Sequence, residues 1–405
     1  MKTYKISIIG DVMSESVLLD AVKQSDGSYD YDPIFLPLKG ILSEADYRIA
    51  NLETPVAGED LTYSQTIVSF NAPESLVTAL QKIGIDAVST ANNHATDRGQ
   101  AGLVRTLDTL DRLGMPHTGT YRKGEKDRIH YFTLGETKIA MIAYTYGVNV
   151  WPTEDEETDP DQVNFLVYPG DKRRVKTAPQ YFFDALKFIK ETTGQEVSWA
   201  DRQSLKQILG ITVPYPDDTN CEESVLHRMD DPIRADLMEA KKNADLVLYV
   251  PHTGGQFNVE PGHASEVALD TAAKMGFDAI LAAHSHTSQK AAYLGDCPTF
   301  YSLGNVSMSS NTVYSQHQTL PMFGVVAHLY VTDKKITGAG YSLFKICEEE
   351  GKPGTMRVVP VDELYASLTD EAEKEQLVRD VESVVTRISG ASLTGPEAIR
   401  REYRL

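Results

Sequence analysis

Six strand-like apolar segments of this 405-residue chain each end in side chains whose oxygen or nitrogen atoms can bind a ligand. In open α/β sheets the carboxyl ends of the strands converge on one crevice, where ligands bind. The packing of a core does not explain polar residues at six separate strand ends. We therefore predict that one crevice gathers the residues at these ends: Asp11, Asn51 with Glu53, Asn92, Asn93 and His94, His252, His284 with His286, and Asn305.

The order of the predicted elements favours an α/β fold. Predicted strands such as Tyr4 to Ile9, Tyr47 to Leu52 and, later in the chain, Phe300 to Leu303 alternate with helical patterns. Two of these helical patterns extend from Pro73 to Ile83 and from Gln100 to Leu113. A hairpin is predicted to turn at Gly135-Glu136. Strands that alternate with helices imply a largely parallel sheet with helices on its faces.

The chain is predicted to have three parts. Residues 1–149 and 230–362 form the α/β domain. Between them, residues 150–229 are rich in turn signals and weakly periodic, which is typical of an insertion, and we expect it to lie over the crevice as a lid. Residues 363–405 form a C-terminal helical extension. Its helix, from Glu363 to Ile388, carries an apolar stripe and is expected on the outside of the domain.

The residue types in the predicted crevice indicate a metal site. Imidazole, carboxylate and amide ligands together suit Mn, Fe, Zn or Co. His284 and His286 would share one face of an extended strand, so both rings could reach one ion or two neighbouring ions. The three cysteines are odd in number and far apart, which argues against a disulfide framework and a thiolate metal site.

Charge and hydropathy exclude several classes of partner. The chain has 39 Lys and Arg against 58 Asp and Glu, a net charge of −19 at pH 7, and a field of that sign repels nucleic acid and anionic membranes. No apolar run approaches the roughly 18 residues of a membrane span. The apolar run before Gly10 is too short for a signal peptide, so we predict a cytoplasmic protein without a membrane segment.

Six short motifs contain the residues of the predicted crevice: Gly10-Asp11-Val12-Met13, Asn51-Leu52-Glu53, Ala91 to Gly99, His252-Thr253-Gly254-Gly255, His284-Ser285-His286 and Tyr301-Ser302-Leu303-Gly304-Asn305. Together they resemble the CapA family, which is linked to poly-γ-glutamate capsule synthesis and is built like the calcineurin-type metallophosphoesterases. The resemblance extends from about Ile6 to Tyr341, apart from the insertion. It implies a layered, metallophosphoesterase-like (calcineurin-like) β-sheet core with flanking helices, an insertion and a C-terminal helix.

The resemblance also implies roles for the residues at matching positions. Asp11 resembles the first metal aspartate, Glu53 the bridging carboxylate and Asn93 the amide ligand. His252 and His284 resemble ligands of one metal, with His286 on the other, so one or two divalent ions (Mn, Fe or Zn) are expected. His94 resembles the histidine that meets the substrate, which would be a catalytic general acid. The residues expected to contact the substrate or to support ligands are Asn51, Asn92, Asp97 and Asn305; Asp97 could equally cap a helix.

Three positions depart from the family pattern. Met13 stands where phosphoesterases of this type usually carry a histidine, so one metal position loses a ligand. The usual His-Trp-Gly-x-Glu-Tyr motif appears as His252 to Phe257 and lacks its acid. Ser285 replaces the usual proline within the last histidine pair.

Two functions of different classes are compatible with these residues. The first is a metal-dependent hydrolase of the metallophosphoesterase type, in which metal polarises the phosphoryl group of a phosphoester and His94 protonates the leaving oxygen. The alternative is a non-hydrolytic accessory protein for poly-γ-glutamate or capsule polymer synthesis, and the incomplete metal position at Met13 favours it. In both cases the expected partner is anionic, either a small molecule or a polymer.

Overall fold

The structure is a computed structural model that describes residues 2–65, 69–125, 127–149, 162–166, 188–189, 192–193, 230–310, 317–349 and 352–405. The predicted insertion, 150–229, and its role as a lid lie outside the described residues, apart from the three short stretches between 162 and 193.

The described residues contain the following strands and α-helices. The strands are β1 (Tyr4–Val12), β2 (Tyr47–Leu52), β3 (Ala87–Ser89), β4 (His117–Thr118), β5 (His130–Leu134), β6 (Thr137–Thr145), β7 (Leu246–His252), β8 (Ala279–Leu281), β9 (Ala291–Leu294), β10 (Cys297–Phe300), β11 (Asn305–Ser307), β12 (Phe323–Thr332), β13 (Lys335–Glu349), β14 (Lys352–Pro360) and β15 (Tyr403–Arg404). The helices are α1 (Ser16–Val22), α2 (Asp32–Phe35), α3 (Lys39–Leu42), α4 (Ser75–Lys82), α5 (Gly99–Arg112), α6 (Asp230–Asn243), α7 (His263–Met275), α8 (Val361–Ser367) and α9 (Glu371–Ser389).

The strands form two mixed sheets, whereas the sequence predicted a single, largely parallel one. In the first sheet the order is β14-β13-β12-β1-β2-β3-β4, with β11 beside β1 and β15 beside β13. Here β1 to β4 are parallel, and β12 to β14 are antiparallel. The second sheet has the order β5-β6-β7-β8-β10-β9, with a parallel centre and antiparallel edges. Strands buried on both faces have the same apolar composition in either sheet, so the sequence pattern could not separate them.

Successive residues of the central strands face different layers, which explains why the two sheets stack. Ile6 and Ile8 of β1 pack in the core between the sheets, in one cluster with Leu248 of β7. Ile9 faces outward and belongs to the cluster that α1 and α4 cover. On the opposite side Tyr249 contributes to the cluster formed with α6 and α7. This alternation places helices outside both sheets, and it confirms the predicted layered α/β core with flanking helices.

Most predicted elements of the N-terminal half form close to their expected bounds. The two predicted helices correspond to α4 and α5, and β5 and β6 turn at Gly135-Glu136 as expected. The strand predicted at Phe300 to Leu303 lies earlier, as β10 at Cys297–Phe300. The long strand β13 was missed; its first half is partly exposed, so it lacks a continuous apolar run.

The C-terminal tail differs from the predicted helical extension in two respects. The expected single helix is divided into α8 and α9, and Asp370 caps α9 by accepting from the backbone N–H groups of Ala372 and Glu373. The tail also ends in a strand, β15, which pairs with β13. The apolar stripe of α9 joins the core between the sheets through residues such as Val381 and Val385.

None of the helices in the described part of the chain is both long enough and apolar enough to span a bilayer.

The close approach of β1 to the start of β11 generates a stability prediction. A Cβ atom on Gly10 would lie 2.0 Å from the carbonyl oxygen of Gly304, which accepts the N–H of Asp11 at 3.0 Å. We expect Gly10→Ala to lower the free energy of unfolding by about 1–3 kcal/mol, because backbone must move to relieve the contact. Urea unfolding measures this change. In the control, Gly354→Ala, the added Cβ meets only Ala21 O at 3.5 Å; equal losses for both variants would contradict the prediction.

Candidate metal centre

The register of the first sheet places three of the predicted residues side by side. Asp11 of β1 pairs with Asn51 of β2 on one side and with Asn305 of β11 on the other. The register of β1 against β2 shifts between Ile9 and Asp11, an irregularity that re-aims side chains at the end of a strand. All three polar residues are buried. The carboxyl end of β1 is thus the centre of the site.

Two buried groups of side chains could hold a metal ion, and they share one carboxylate. Glu53, His252 and His284 form one group, and Asp11, Glu53 and His286 form the other. Within each group the potential ligand atoms all lie within 4.8 Å of one another. The structure therefore brings together all the carboxylates and imidazoles that the sequence analysis assigned to metal, with Glu53 in the expected bridging position.

Asn93, the predicted amide ligand, lies against the first of these groups. Its Oδ1 accepts from His252 Nε2 at 2.7 Å, while its buried Nδ2 has no hydrogen-bond partner among the described residues. His252 Nε2 is also 3.1 Å from His284 Nδ1. The amide oxygen of Asn93 and both ring nitrogens therefore converge on one point.

Glu53 provides the test of whether an ion fits. Both of its carboxylate oxygens are buried, and neither accepts a hydrogen bond from the part of the chain that the structure describes. Its Oε1 lies 3.3 Å from His252 Nε2 and 4.0 Å from His286 Nε2. A buried carboxylate without hydrogen bonds is costly, and a divalent cation between these groups would satisfy it. The donor set of oxygen and imidazole nitrogen matches Mn, Fe or Zn.

The sequence pattern predicted that His284 and His286 lie on an extended strand, but they do not. Strand β8 ends at Leu281, and His284 and His286 have backbone φ angles of 110° and 55°. Such angles cost of order 1–3 kcal/mol for each non-glycine residue. Both rings face the centre because of this bent loop. The predicted basis for their shared face, alternation along an extended strand, was therefore wrong, and whether the two rings bind one ion or two neighbouring ions stays a prediction.

Hydrogen bonds from the first sheet hold the bent loop. The His284 N–H donates to Asp11 Oδ2 at 3.1 Å. Asn305 contacts His286 twice, because its Nδ2 donates to the His286 carbonyl at 2.9 Å and its Oδ1 accepts from His286 Nδ1 at 2.9 Å. Asn305 therefore holds both the ring and the backbone of a candidate ligand.

Burial and charge move the pKa values in the centre in opposite directions. Burial, followed by the nearby Asp11, raises the pKa of Glu53 to about 8. Burial also lowers the pKa of His252 to about 3. For His286, burial favours the neutral ring, but Glu53 and Asp11 outweigh it and raise the pKa to about 9. Burial of Asp11 is likewise outweighed, by His286 and His252, and its pKa falls to about 2.

The remaining asparagines hold the strand ends in place. Asn51 Nδ2 donates to Asp11 Oδ1 at 2.7 Å and lies 3.1 Å from His252 Nδ1, while Ser89 donates to its Oδ1. Asn92 donates to the Leu52 carbonyl at 2.8 Å and accepts the backbone N–H of His94 at 3.1 Å. These hydrogen bonds join the two amides to the strand ends and to candidate ligands, so their contacts are supporting ones.

His94 lies beside the two ligand groups and belongs to neither. Its Nδ1–H donates to Asp97 Oδ2 at 2.6 Å, and its Nε2 is 4.0 Å from Glu53 Oε1. Asp97 also accepts the Phe70 N–H at 2.6 Å, and α5 begins without a side-chain cap. Of the two roles predicted for Asp97, the structure therefore selects support of His94 over helix capping.

Two residues at the site were missed by the sequence analysis. Phe70 stacks on the His94 ring with centroids 4.0 Å apart, and nothing in the local sequence pattern signals this contact. Asn149 Nδ2 lies 3.4 Å from His94 Nε2. Asn149 follows the end of β6, just as the other polar residues follow their strands, so the same argument could have found it.

Met13 occupies the position where the resemblance places a histidine ligand, and its surroundings are apolar. It is 1% exposed and packs with Phe70, Phe257 and Met308. The group of Asp11, Glu53 and His286 therefore gains no imidazole from this position. The other group has the additional amide of Asn93 beside it.

Metal binding is expected to release protons. In the metal-free protein the raised pKa values keep Glu53 and His286 protonated at pH 7, and ligands must lose their protons to bind. Affinity for Mn²⁺ should therefore rise with pH between 6 and 9. Calorimetry in two buffers of different ionisation enthalpy counts the protons. On binding Mn²⁺, Glu53→Gln should release about one proton fewer than the wild type. The control variant Glu371→Gln, at an exposed position, should release as many protons as the wild type. An affinity for Mn²⁺ that is independent of pH would contradict the prediction.

Comparison with known proteins places these motifs in a family. The model of the family described as "Bacterial capsule synthesis protein PGA_cap" matches residues 5–310. "Capsule biosynthesis protein CapA" of Bacillus anthracis is 23% identical over 379 residues, which cover 92% of this chain and 74% of that protein. "PGA biosynthesis protein CapA" of Bacillus subtilis (strain 168) is 22% identical over 314 residues, which cover 75% of this chain and 64% of that protein.

The chain also has a counterpart among solved structures, a hypothetical protein from Thermus thermophilus. The identity is 14% and the TM-score 0.41, with 84% of this chain and 99% of that one covered. The family match covers well over half of the chain and includes every candidate ligand. It confirms the resemblance to the CapA family, and the chain belongs to the PGA_cap family of bacterial capsule synthesis proteins.

Proposed function

We propose that this protein is a metal-dependent hydrolase of phosphoesters. The observation that carries the proposal is a single buried carboxylate, Glu53, shared by two ligand groups, with the His94–Asp97 pair at its side. A divalent ion held by these groups would polarise a phosphoryl group and acidify a water molecule. Acid–base chemistry at the substrate is then left to residues outside the ligand groups.

His94 is suited to protonate the leaving oxygen. Asp97 accepts the Nδ1 proton at 2.6 Å, which fixes the ring and directs Nε2 toward Glu53 and the ligand groups. Stacking on Phe70 restrains the plane of the same ring. A general acid must be held within reach of the reacting oxygen, and this pair of contacts supplies that restraint.

The charge of the protein bears on the choice of substrate. A net charge of −19 repels anions at long range, so a phosphoester must be attracted by cations at the site itself. A divalent ion bound by the ligand groups would supply that attraction. A long polyanion would meet the repulsion along its length, so the charge favours a small phosphoester as substrate.

A second function, an accessory role in capsule polymer synthesis without hydrolysis, is favoured by one observation. Met13 lies in an apolar cluster at the position of an expected imidazole ligand, which leaves one of the two ligand groups incomplete. A partial centre could bind an anionic polymer such as poly-γ-glutamate without cleaving it. The two relatives named CapA are described by capsule and PGA biosynthesis.

Removal of single imidazoles should reveal the metal. We expect about one transition-metal ion per purified chain, since one group has more potential ligands than the other. His252→Ala and His284→Ala should each remove most of it, whereas Met13→His should raise the content. Elemental analysis of the purified proteins measures this. His263→Ala, which removes an exposed imidazole at the start of α7, is the control; metal content unaffected by all four changes would refute the centre.

Replacement of His94 should separate its role from metal binding. If His94 is the general acid, His94→Ala should slow hydrolysis of alkyl phosphates by about 10²–10⁴-fold, because alkoxide leaving groups need a proton. Aryl phosphates should be hydrolysed nearly as before, and metal content should stay at the wild-type value. The control is His117→Ala, since His117 contacts Asp111 outside the centre.

Two results would overturn these roles. Loss of metal from His94→Ala would make His94 a ligand. A wild-type protein that hydrolyses no phosphoester with Mn, Zn, Fe or Co would favour the accessory function.

A further inference from the structure

One arginine connects the C-terminal helix to the loop that carries the last two histidines. Arg387 of α9 uses a single guanidinium nitrogen, Nη1, to contact three oxygens. It donates to the Thr319 carbonyl at 2.8 Å, to Thr287 Oγ1 at 3.1 Å and to the Ser288 carbonyl at 3.3 Å. Thr287 directly follows His286, so the contact is one residue away from a candidate ligand.

The contacted loop has little freedom on its other side. His284 and His286 have positive φ angles, and hydrogen bonds to Asp11 and Asn305 hold them from the first sheet. Thr287 and Ser288 are fully buried. Thr287 also donates to the Thr319 carbonyl at 2.8 Å, the same oxygen that Arg387 contacts. Arg387 therefore closes the loop from the side opposite to Asp11.

The partly buried guanidinium of Arg387 is not required to attach helix α9 to the core. Helix α9 is already packed by a buried stripe that includes Val381, Val385 and Ile388. Burial lowers the pKa of Arg387, and no carboxylate of the described residues is within ion-pair distance of it. The charge of Glu260 acts on Arg387 without an ion pair between the two, so the cost of burying this cation is offset mainly by its hydrogen bonds. All of its hydrogen bonds to described residues go to this loop and to Thr319.

We propose that Arg387 is a positioning residue that holds the bent loop so that His284 and His286 face the metal. The inference rests on the metal centre of the proposed function. It also makes α9 part of the site, although the family model ends at residue 310. Residues that orient ligands commonly change metal affinity 10- to 100-fold when they are replaced.

The test compares Arg387→Met and Arg387→Lys with Arg379→Met, in the full-length protein. Arg379 lies on the same helix, is largely exposed and pairs with Glu375 at 3.6 Å, so it controls for the loss of an arginine from α9. Three quantities are measured: Co²⁺ affinity by calorimetry, the visible spectrum of bound Co²⁺, and amide hydrogen exchange of residues 284–288 without metal. Thermal unfolding of each metal-free variant reports general destabilisation.

For Arg387→Met we expect Co²⁺ affinity to fall about 10- to 100-fold, with an altered Co²⁺ spectrum and faster exchange in the loop. Arg387→Lys keeps the charge but has a single nitrogen at the end of a flexible chain, so its affinity should fall less. Arg379→Met should match the wild type. A lower unfolding temperature with unchanged Co²⁺ affinity and spectrum would overturn the positioning role and leave a structural one.

The outcomes also separate this inference from the proposed hydrolase. If the wild type binds Co²⁺ but cleaves no phosphoester, the hydrolase is wrong while the comparison of Arg387 variants still decides the positioning role. If the wild type hydrolyses phosphoesters and Arg387→Met binds Co²⁺ as tightly as the wild type, only the positioning role is wrong. A wild type that binds no divalent ion overturns both.

Discussion

The burial of Glu53 among four imidazoles, those of His94, His252, His284 and His286, is the interaction on which the rest of the site depends. Neither carboxylate oxygen accepts a hydrogen bond from a described residue, and burial together with Asp11 raises the pKa of Glu53 to about 8. A native structure retains such a group only where something offsets its desolvation. The ligand atoms that converge around it are arranged for a cation. The surrounding asparagines then have a clear purpose, because they fix the rings and the aspartate that would share that cation.

The backbone around this carboxylate is held in conformations that ordinary packing would not select. Strand β1 approaches Gly304 so closely that Gly10 tolerates no side chain, and the loop after β8 carries two histidines with positive φ. Strain of this kind persists only where neighbouring contacts over-determine the geometry. Here the contacts come from Asp11 and Asn305 on one side and from α9 on the other. The site therefore uses elements that are far apart in the sequence.

The candidate residues could be predicted from the sequence because each lies at the end of an apolar strand, and the strand and the polar residue that follows it are neighbours in the sequence. The grouping of His252 with His284 came from the family resemblance and agrees with the ligand groups of the structure. Other features had no local signal. Phe70 stacks on His94 from a segment between β2 and α4, and the apolar run of β10 was placed three residues too late. The predicted strand alternation for His284 and His286 was wrong, since a backbone bend depends on contacts with distant residues.

The sequence by itself determined the residue types of the centre, the α/β class and the position of the flanking helices, because strand and helix periodicity record which faces are buried. The layered core was implied by the family resemblance. Only the tertiary structure decided that the strands form two sheets, since burial on both faces looks the same in either. It also decided that Asp97 supports His94 and that α9 covers the core between the sheets. The pairing of the strands into two sheets and the position of α9 depend on which distant segments meet, and such contacts leave no periodic trace in the sequence. Asp97 is only three residues from His94, but the choice between its two roles depends on how the loop between β3 and α5 folds.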